Sequence, residues 1–249
     1  MKKIIVFCVL LFYSDAIAKT IDWYVDGAIY QTTTCNSGDN VTPPTPPEKY
    51  GYTFRRWKTY TRLQYLESTG TQYIKTNTYL DDNAEFFFDF MKIAAISAQD
   101  IGYSGPVAGG GWHGAKPIIA MWLGQTITYS PQITISDIVG KRCTEHWIKN
   151  GTIFSSELIV QDSQSTYTLS TSSATYSSDP ITFLTSNNTW QSATRIYGAW
   201  LKDGNNNLVA DFIPVLDPAD VPCMYDRVTS TCFYNSGTGN FIAGPVIDE

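Results

Sequence analysis

The sequence predicts a mainly β protein, and three observations support this fold class. Short runs with high strand propensity recur between turn signals, no convincing amphipathic helix interrupts them, and 14% aromatic with only 16% charged residues excludes a disordered chain. Thirteen such runs after residue 62 are typical of a two-sheet sandwich. We predict strands at residues 72–80, 85–93, 117–123, 126–129, 132–135, 145–149, 153–161, 165–170, 181–185, 192–202, 207–214, 222–226 and 231–235.

The strand predicted at residues 85–93 indicates where the core lies. Phe86, Phe88 and Phe90 alternate along it, so their side chains share one face, which we expect to cross the core. Glu85 and Asp89 share the other face, where we expect solvent-facing charges.

The first eighteen residues are typical of a signal peptide. Lys2 and Lys3 precede an apolar run of about ten residues, and Ala16-Ile17-Ala18 fits a cleavage site. Lys19 is therefore the expected mature N-terminus. The apolar run is too short to cross a bilayer, and no later stretch approaches the length that a spanning helix needs. We expect a secreted or cell-surface protein with no integral membrane segment after cleavage of residues 1–18.

Residues 19–61 have a pattern of their own. Two strand-like runs flank Asp26-Gly27, a dipeptide that suits a tight hairpin turn. Four prolines at residues 43–47 then exclude both helix and central strand, before extended structure resumes at residue 52. This pattern predicts a small β module.

The module resembles the internalin-type B-repeat, a short β-grasp-like unit of bacterial surface proteins. The residues that carry the resemblance are Tyr24-Val25-Asp26-Gly27, Gly38-Asp39-Asn40-Val41, Pro44-Thr45-Pro46-Pro47, Gly51-Tyr52-Thr53-Phe54 and Trp57. That family usually occurs as tandem copies, whereas one copy is found here. The resemblance therefore implies a spacer or a small interaction domain rather than a long stalk.

Residues 62–249 resemble the concanavalin A-like, or laminin-G-like, jelly-roll domains at both ends. The run RLQYLESTGTQYIKTNTY at residues 62–79 is similar to the start of such domains. Residues 195–241 are similar to the end, with a hairpin at Asp203-Gly204-Asn205 and a Tyr-Asp motif before Phe233-Tyr234. The resemblance implies one two-sheet jelly roll that acts as a binding module.

The charge balance is acidic. The chain has 17 Lys and Arg against 23 Asp and Glu, a net charge of -6, and the acidic excess lies in residues 62–249. Because binding to a phosphate backbone needs a cationic surface, we do not expect nucleic acid as a partner.

Four cysteines follow the predicted signal peptide, at positions 35, 143, 223 and 232. An even number in an oxidising compartment favours disulfides, and four cysteines allow three pairings. Cys223 and Cys232 flank a predicted hairpin, so we predict a bridge between them that fixes the register of its strands. The pairing of Cys35 with Cys143 stays open, because it requires contact between the two modules.

Catalytic patterns are weak in this sequence. Glu85 and Asp89 lie four residues apart, which separates their backbones by about 13 Å along a strand. The carboxyl groups of glycoside hydrolases lie about 5–9.5 Å apart. The chain has two histidines, His113 and His146, and no Gly-x-Ser-x-Gly motif. We predict no catalysis, and a glycoside hydrolase-related domain is the enzymatic alternative.

Aromatic residues in or beside predicted loops are the candidate ligand contacts, since exposed rings stack on the apolar faces of sugars. These candidates are Tyr103, Trp112, Tyr129 and Trp190. The tryptophans within predicted strands, Trp122, Trp147 and Trp200, are expected in the core.

One loop is a candidate calcium site. Asp203, Asn205 and Asn207 offer oxygen ligands, which Ca²⁺ prefers. The loop lacks the glycine and the terminal glutamate of a calcium loop, so a plain hairpin turn is the competing interpretation.

The sequence thus predicts a secreted or cell-surface protein that binds without catalysis. Its expected partner is a glycan, or a host or neighbouring protein. A structural or assembly component of the cell envelope is the alternative from another class.

Overall fold

The computed structural model describes most of the chain after residue 58 and parts of the chain before it. The described residues are 2–3, 7–8, 19–25, 28–36, 41–48, 50, 52–53, 58–94, 101–103, 120–122, 126–172, 180–184 and 192–247. Within them the fold is mainly β, as predicted, and the only helical element is a 3₁₀ turn at Ile135–Asp137. None of these segments forms a helix long and apolar enough to span a membrane.

Among the described residues before residue 60, six strands form two small sheets. They are β1 (Lys2–Lys3), β2 (Phe7–Cys8), β3 (Lys19–Val25), β4 (Ala28–Cys35), β5 (Tyr52–Thr53) and β6 (Lys58–Thr59). β1 pairs with β5, and the other four strands follow the order β4-β3-β2-β6. β3 and β4 pair antiparallel around residues 26–27, which confirms the predicted hairpin. β1 and β2 belong to the predicted signal peptide, which stays a prediction.

In the described part of the chain after residue 60 there are sixteen strands. They are β7 (Thr61–Arg62), β8 (Leu66–Glu67), β9 (Ile74–Lys75), β10 (Asn83–Lys92), β11 (Ile101–Tyr103), β12 (Ala120–Trp122), β13 (Thr126–Thr128), β14 (Arg142–Asn150), β15 (Ile153–Val160), β16 (Ser165–Thr171), β17 (Ile181–Phe183), β18 (Thr194–Asp203), β19 (Leu208–Leu216), β20 (Pro222–Asp226), β21 (Thr231–Phe233) and β22 (Ile242–Ala243).

Most of these strands form one large antiparallel sheet. Its order is β16-β15-β14-β10-β18-β19-β20-β21, and β7, β8 and β22 pair at its margins. A second sheet has the order β11-β17-β9, and β12 pairs with β13. β10 therefore lies at the centre of the large sheet, between β14 and β18.

The main core lies between the large sheet and the three-stranded sheet. Phe183 of β17 packs on the large sheet, with ring centroids 5.7 Å from Phe88 and 5.3 Å from Phe212. Phe86, Phe88 and Phe90 are all at most 2% exposed, which confirms their predicted burial. This face-to-face packing of antiparallel sheets is consistent with a β sandwich.

Most predicted strands in the described residues are found with shifted ends, and two differ more strongly from the structure. Residues 132–135 do not form a strand; the chain turns there into the 3₁₀ element, because the Asp137 carboxylate accepts hydrogen bonds from the backbone and hydroxyl of Thr134. The strand predicted at residues 72–80 is reduced to Ile74–Lys75. The strand predicted at residues 222–226 is confirmed with the same bounds.

The pairing pattern separates the chain near residue 60. Strands before it pair among themselves, and β7 begins the set that belongs to the large sheet. Ile21 and Trp23 form a small buried cluster with Cys35 packed against it, whereas Cys143 lies in the main core. Cys35 and Cys143 thus lie in different hydrophobic clusters, and the division at residues 61 and 62 stays a prediction.

Candidate ligand-binding groove

The large sheet has one half-exposed face, which we call the outer face. Along β10, burial alternates residue by residue: Phe86 and Phe88 point into the core, and Glu85, Phe87 and Asp89 are half-exposed on the other side. The same alternation in β14 brings His146 and Ile148 onto the outer face beside them. The outer face therefore carries a mixture of charged, aromatic and aliphatic side chains.

Two depressions on this face share Ile148 and together form what we call the outer groove. The first has a volume of about 600 Å³ and is lined by residues that include His146, Ile148, Ser155, Glu157, Thr168 and Ser170. The second has a volume of about 450 Å³ and is lined by residues that include Asn83, Glu85, Ile148, Asn150, Asp203 and Asn206. Volumes in this range are typical of small-molecule sites.

Strand register explains why these residues meet. Ile148 lies opposite Glu85 on β10 and opposite Ser155 on β15, and Ser155 lies opposite Ser170 on β16. Glu85 in turn lies opposite Lys202 on β18. The groove crosses five neighbouring strands, a width of about 19 Å at about 4.8 Å per strand spacing.

The Glu85 carboxylate contacts two basic side chains of the outer face. Its Oε1 lies 2.7 Å from Nε2 of His146, and its Oε2 lies 3.6 Å from Nζ of Lys202. Asp89, the other member of the acid pair, accepts two hydrogen bonds from the Arg142 guanidinium, at 2.9 and 2.6 Å. The two carboxylates therefore have separate partners: His146 and Lys202 contact Glu85, and Arg142 contacts Asp89.

An aromatic stack lies beside the groove. The rings of Phe87 and Trp200 are nearly parallel, with centroids 5.4 Å apart, and Nζ of Lys202 lies 4.9 Å from the Trp200 ring. Trp200 is half-exposed, so the prediction that places it in the core is wrong: its position in β18 points it to the outer face. Trp147 is 2% exposed, which confirms its predicted burial.

The candidate calcium loop forms one end of the groove as a closed hairpin. Oδ1 of Asp203 accepts hydrogen bonds from the backbone N–H groups of Asn205 and Asn207, each at 2.9 Å, and Oδ2 accepts one from the Asn207 side chain. The hydrogen bond from Asn207 is the main reason that the pKa of Asp203 lies below its usual value of 3.8. These contacts give Asp203 the role of closing the turn.

The rest of the described chain offers no metal centre of the usual kind. Among these residues, no three His, Cys, Asp or Glu side chains are grouped so that they could hold a metal ion.

The predicted aromatic contacts have different outcomes. Tyr129 is 3% exposed, and its hydroxyl lies between Glu145 and Ser156, 2.9 Å from the Ser156 hydroxyl. The expectation that Tyr129 is exposed to a ligand is therefore wrong, because its ring packs into the core and its polar tip is satisfied there. The Tyr103 side chain, Trp112 and Trp190 lie outside the described residues.

Apart from Asp203, which belongs to the candidate calcium loop, the residues of the outer groove are not predicted as a site from the sequence. More exposed and more buried side chains alternate along β14 and along β16, and the exposed positions of β16 are Thr and Ser. This alternation marks one polar face on each strand. That signal indicates a polar face, but only the strand order shows which polar faces adjoin.

Cys223 and Cys232 lie in the adjacent strands β20 and β21 as thiols. Tyr225 is opposite Cys232, so the two cysteines occupy diagonal positions on the same face of the hairpin. This proximity agrees with the pairing expected from the sequence, and the disulfide itself stays a prediction.

Comparison with known proteins gives no relative: no protein-family model, curated protein or solved structure matches this chain.

Proposed function

We propose that this protein is a secreted or cell-surface protein that binds carbohydrate in the outer groove without catalysis. The observation that carries the proposal is the groove itself, an open depression across five strands with polar walls and the side chain of Ile148, 48% exposed, at its centre.

The chemistry of the groove suits a sugar chain. The first depression is lined by three hydroxyl groups and one carboxylate, those of Ser155, Thr168, Ser170 and Glu157. These groups offer hydrogen bonds to sugar hydroxyls. Ile148 offers an apolar surface for the C–H faces of the rings. A few polar groups around an apolar centre are the usual composition of a ligand site.

The absence of catalysis is proposed from the carboxylates of the outer face. A glycoside hydrolase needs one carboxyl group as an acid and a second as a base or nucleophile, about 5–9.5 Å apart. Glu85 is paired with His146 and Lys202, and Asp89 is paired with Arg142. Such pairing suits carboxylates that hold the shape of a surface.

The finer features of the fold belong to the same proposal. We take residues 62–249 as a concanavalin-like jelly roll and residues 19–61 as a β-grasp-like B-repeat module. Both resemblances agree with an extracellular binding role, in which the small module is a spacer or a second interaction domain.

A glycan array with the full secreted chain tests this function, in the presence of Ca²⁺ and in the presence of a chelator. We expect binding to a defined set of glycans, with equal signals in both conditions if Asp203 only closes its hairpin. Mixed polysaccharides incubated with the protein should release no reducing sugar. No binding on the array would refute the carbohydrate proposal, and steady release of reducing sugar would refute the absence of catalysis.

Recognition of a neighbouring protein, including assembly into the cell envelope, is the second candidate. It is favoured by the aliphatic side chains exposed on the outer face, Ile148, Ile153 and Val209, which are 48%, 55% and 36% exposed. Exposed apolar groups of this kind mark protein contacts when they are contiguous. Co-purification of a specific envelope protein that Ile153→Asp abolishes would favour this candidate over carbohydrate binding.

A further inference from the structure

A second cluster on the large sheet has chemistry that carbohydrate binding does not use. Val215, Cys223 and Tyr225 are buried together, and Tyr60, Ile213 and Cys232 pack against them. Phe212 and Met224, their neighbours in β19 and β20, point to the main core instead. The cluster is therefore on the opposite face of the sheet from the main core, and we call it the thiol cluster.

The two cysteines of the thiol cluster differ in accessibility. Cys223 is 0% exposed, whereas Cys232 is half-buried and reaches the surface. The Tyr60 ring stacks on the Tyr225 ring with centroids 4.5 Å apart, and the Tyr234 hydroxyl donates a 2.9 Å hydrogen bond to Asp217. Tyr60 and Cys232 pack against the same cluster, and of the two cysteines Cys232 is the more exposed to a small reagent.

We propose that Cys232 is a reactive thiol that exchanges with low-molecular-weight disulfides, and that Cys223 beneath it completes a reversible bridge. The Cys232 thiolate attacks one sulfur of a disulfide RSSR, which forms the mixed disulfide Cys232–S–SR and releases RS⁻. Cys223 then loses its proton and attacks the Cys232 sulfur, which forms the Cys223–Cys232 bond and releases the second RS⁻. The two cysteine protons end on two RSH molecules, so the pair is oxidised by two electrons as RSSR is reduced.

Hydrogen bonding favours the thiolate at Cys232. The pKa of the Cys232 thiol lies below its usual value, chiefly through hydrogen bonding with the neighbouring Cys223 thiol and, to a smaller extent, with the Tyr60 hydroxyl, although burial opposes this shift. The same contact, together with burial, raises the pKa of Cys223. An accessible thiol with a lowered pKa next to a buried partner is the usual arrangement of an attacking and a resolving cysteine.

The register makes the bridge reversible. Cys232 lies opposite Tyr225 rather than opposite Cys223, so the bond must join diagonal positions. Diagonal neighbours in a sheet are about 7–8 Å apart at Cα, beyond the usual 4.4–6.8 Å of a disulfide. A bond across a diagonal therefore spans a longer Cα–Cα distance than most disulfides, and we expect it to be more easily reduced than an unstrained one.

Alkylation of the reduced full chain tests the reactivity of Cys232. Cys35 is the matched control, because it is also half-buried and is also a thiol. With iodoacetamide near neutral pH, peptide mass spectrometry should show Cys232 modified about tenfold faster than Cys35, since only the thiolate reacts. Tyr60→Phe keeps the ring stack and removes one donor, so it should slow Cys232 and leave Cys35 unchanged. Equal rates at Cys232 and Cys35 would overturn the proposal.

Exchange with glutathione tests the bridge. Oxidised glutathione should convert Cys223 and Cys232 into an internal disulfide, and reduced glutathione should reverse this in native buffer. Cys223→Ser should accumulate glutathione on Cys232, and Cys232→Ser should leave Cys223 unmodified, with circular dichroism showing that both variants are folded. A bridge that reduced glutathione opens only in denaturant is a permanent structural disulfide, which would also overturn the proposal.

Discussion

Phe88 is the residue with the clearest structural role, because its side chain lies at the centre of the main core. It is 0% exposed and its ring contacts those of Phe90 and Phe183, at 5.0 and 5.7 Å between centroids. We expect Phe88→Ala to lower the free energy of unfolding by about 3–5 kcal/mol, through lost burial and a cavity. Chemical denaturation measures this, with Phe87→Ala, on the half-exposed face of the same strand, as the control. Equal losses for both variants would contradict the assignment of the two faces.

Asp226 is a buried carboxylate whose role is to hold backbone in place. Its Oδ1 accepts hydrogen bonds from the N–H groups of Asp211 and Val228, and its Oδ2 accepts one from the Thr229 hydroxyl. Asp226→Ala leaves these donors without an acceptor, so we expect a loss of about 2–3 kcal/mol in the free energy of unfolding. Asp162→Ala, at an exposed turn, should lose less than about 0.5 kcal/mol in the same measurement. A loss at Asp226 as small as that at Asp162 would contradict this role.

Single residues were predictable where a pattern fixed their face. The alternation of Phe86, Phe88 and Phe90 identified a buried stripe from the sequence. The predictions that Tyr129 is exposed and that Trp200 is buried are both wrong, because an aromatic residue with a polar tip suits both a core and a surface. Which of the two it occupies depends on neighbours in other strands, such as Glu145 beside Tyr129 and Phe87 beside Trp200.

At the scale of elements, the hairpin between β18 and β19 depends on the ionised form of Asp203. The folded chain lowers the pKa of this carboxyl below 3.8, so the stabilisation is complete above that value and is lost as the pH falls through the folded pKa. A carboxyl NMR titration should give a midpoint below 3.8 for Asp203, and Asn207→Ala should raise it. A midpoint at or above 3.8 in the wild type would contradict the hydrogen-bonded turn.

Elements were predictable where strand and turn signals agreed. The strand at residues 222–226 is flanked by turns and was predicted with its observed bounds. Residues 132–135 have strand-forming side chains, but the hydrogen bonds between Thr134 and Asp137 favour a 3₁₀ turn. Short polar side chains that bond to nearby backbone compete with strand pairing in this way.

At the scale of the whole molecule, the division near residue 60 predicts independent folding of the larger part. Every strand from β7 onward pairs with others of the same set. We therefore expect a fragment of residues 60–249 to keep the β-sheet circular dichroism spectrum and to unfold at the denaturant midpoint of the full chain. Tyr60 is retained because its ring stacks on Tyr225. A fragment that is unfolded would show that the small module contributes to the sandwich core.

The outer groove could not be predicted because it depends on strand order. Its residues come from β10, β14, β15, β16 and β18 and the turns beside them, which are spread over more than a hundred positions of the chain. Each strand shows a polar face in the sequence, but the contact of β10 with both β14 and β18 is a long-range pairing that local patterns do not encode.

The most direct test of the central claim is the affinity of the full chain for its strongest glycan-array ligand, compared between two isoleucine variants. Ile148 and Ile242 are both 48% exposed on strands, but Ile148 is at the centre of the outer groove and Ile242 is on β22, which pairs with β8 at the margin of the sheet. Calorimetry should show at least about tenfold weaker binding for Ile148→Glu, because it places a charge where the sugar must pack, and unchanged binding for Ile242→Glu. Wild-type affinity in a folded Ile148→Glu variant would contradict the outer groove as the binding site.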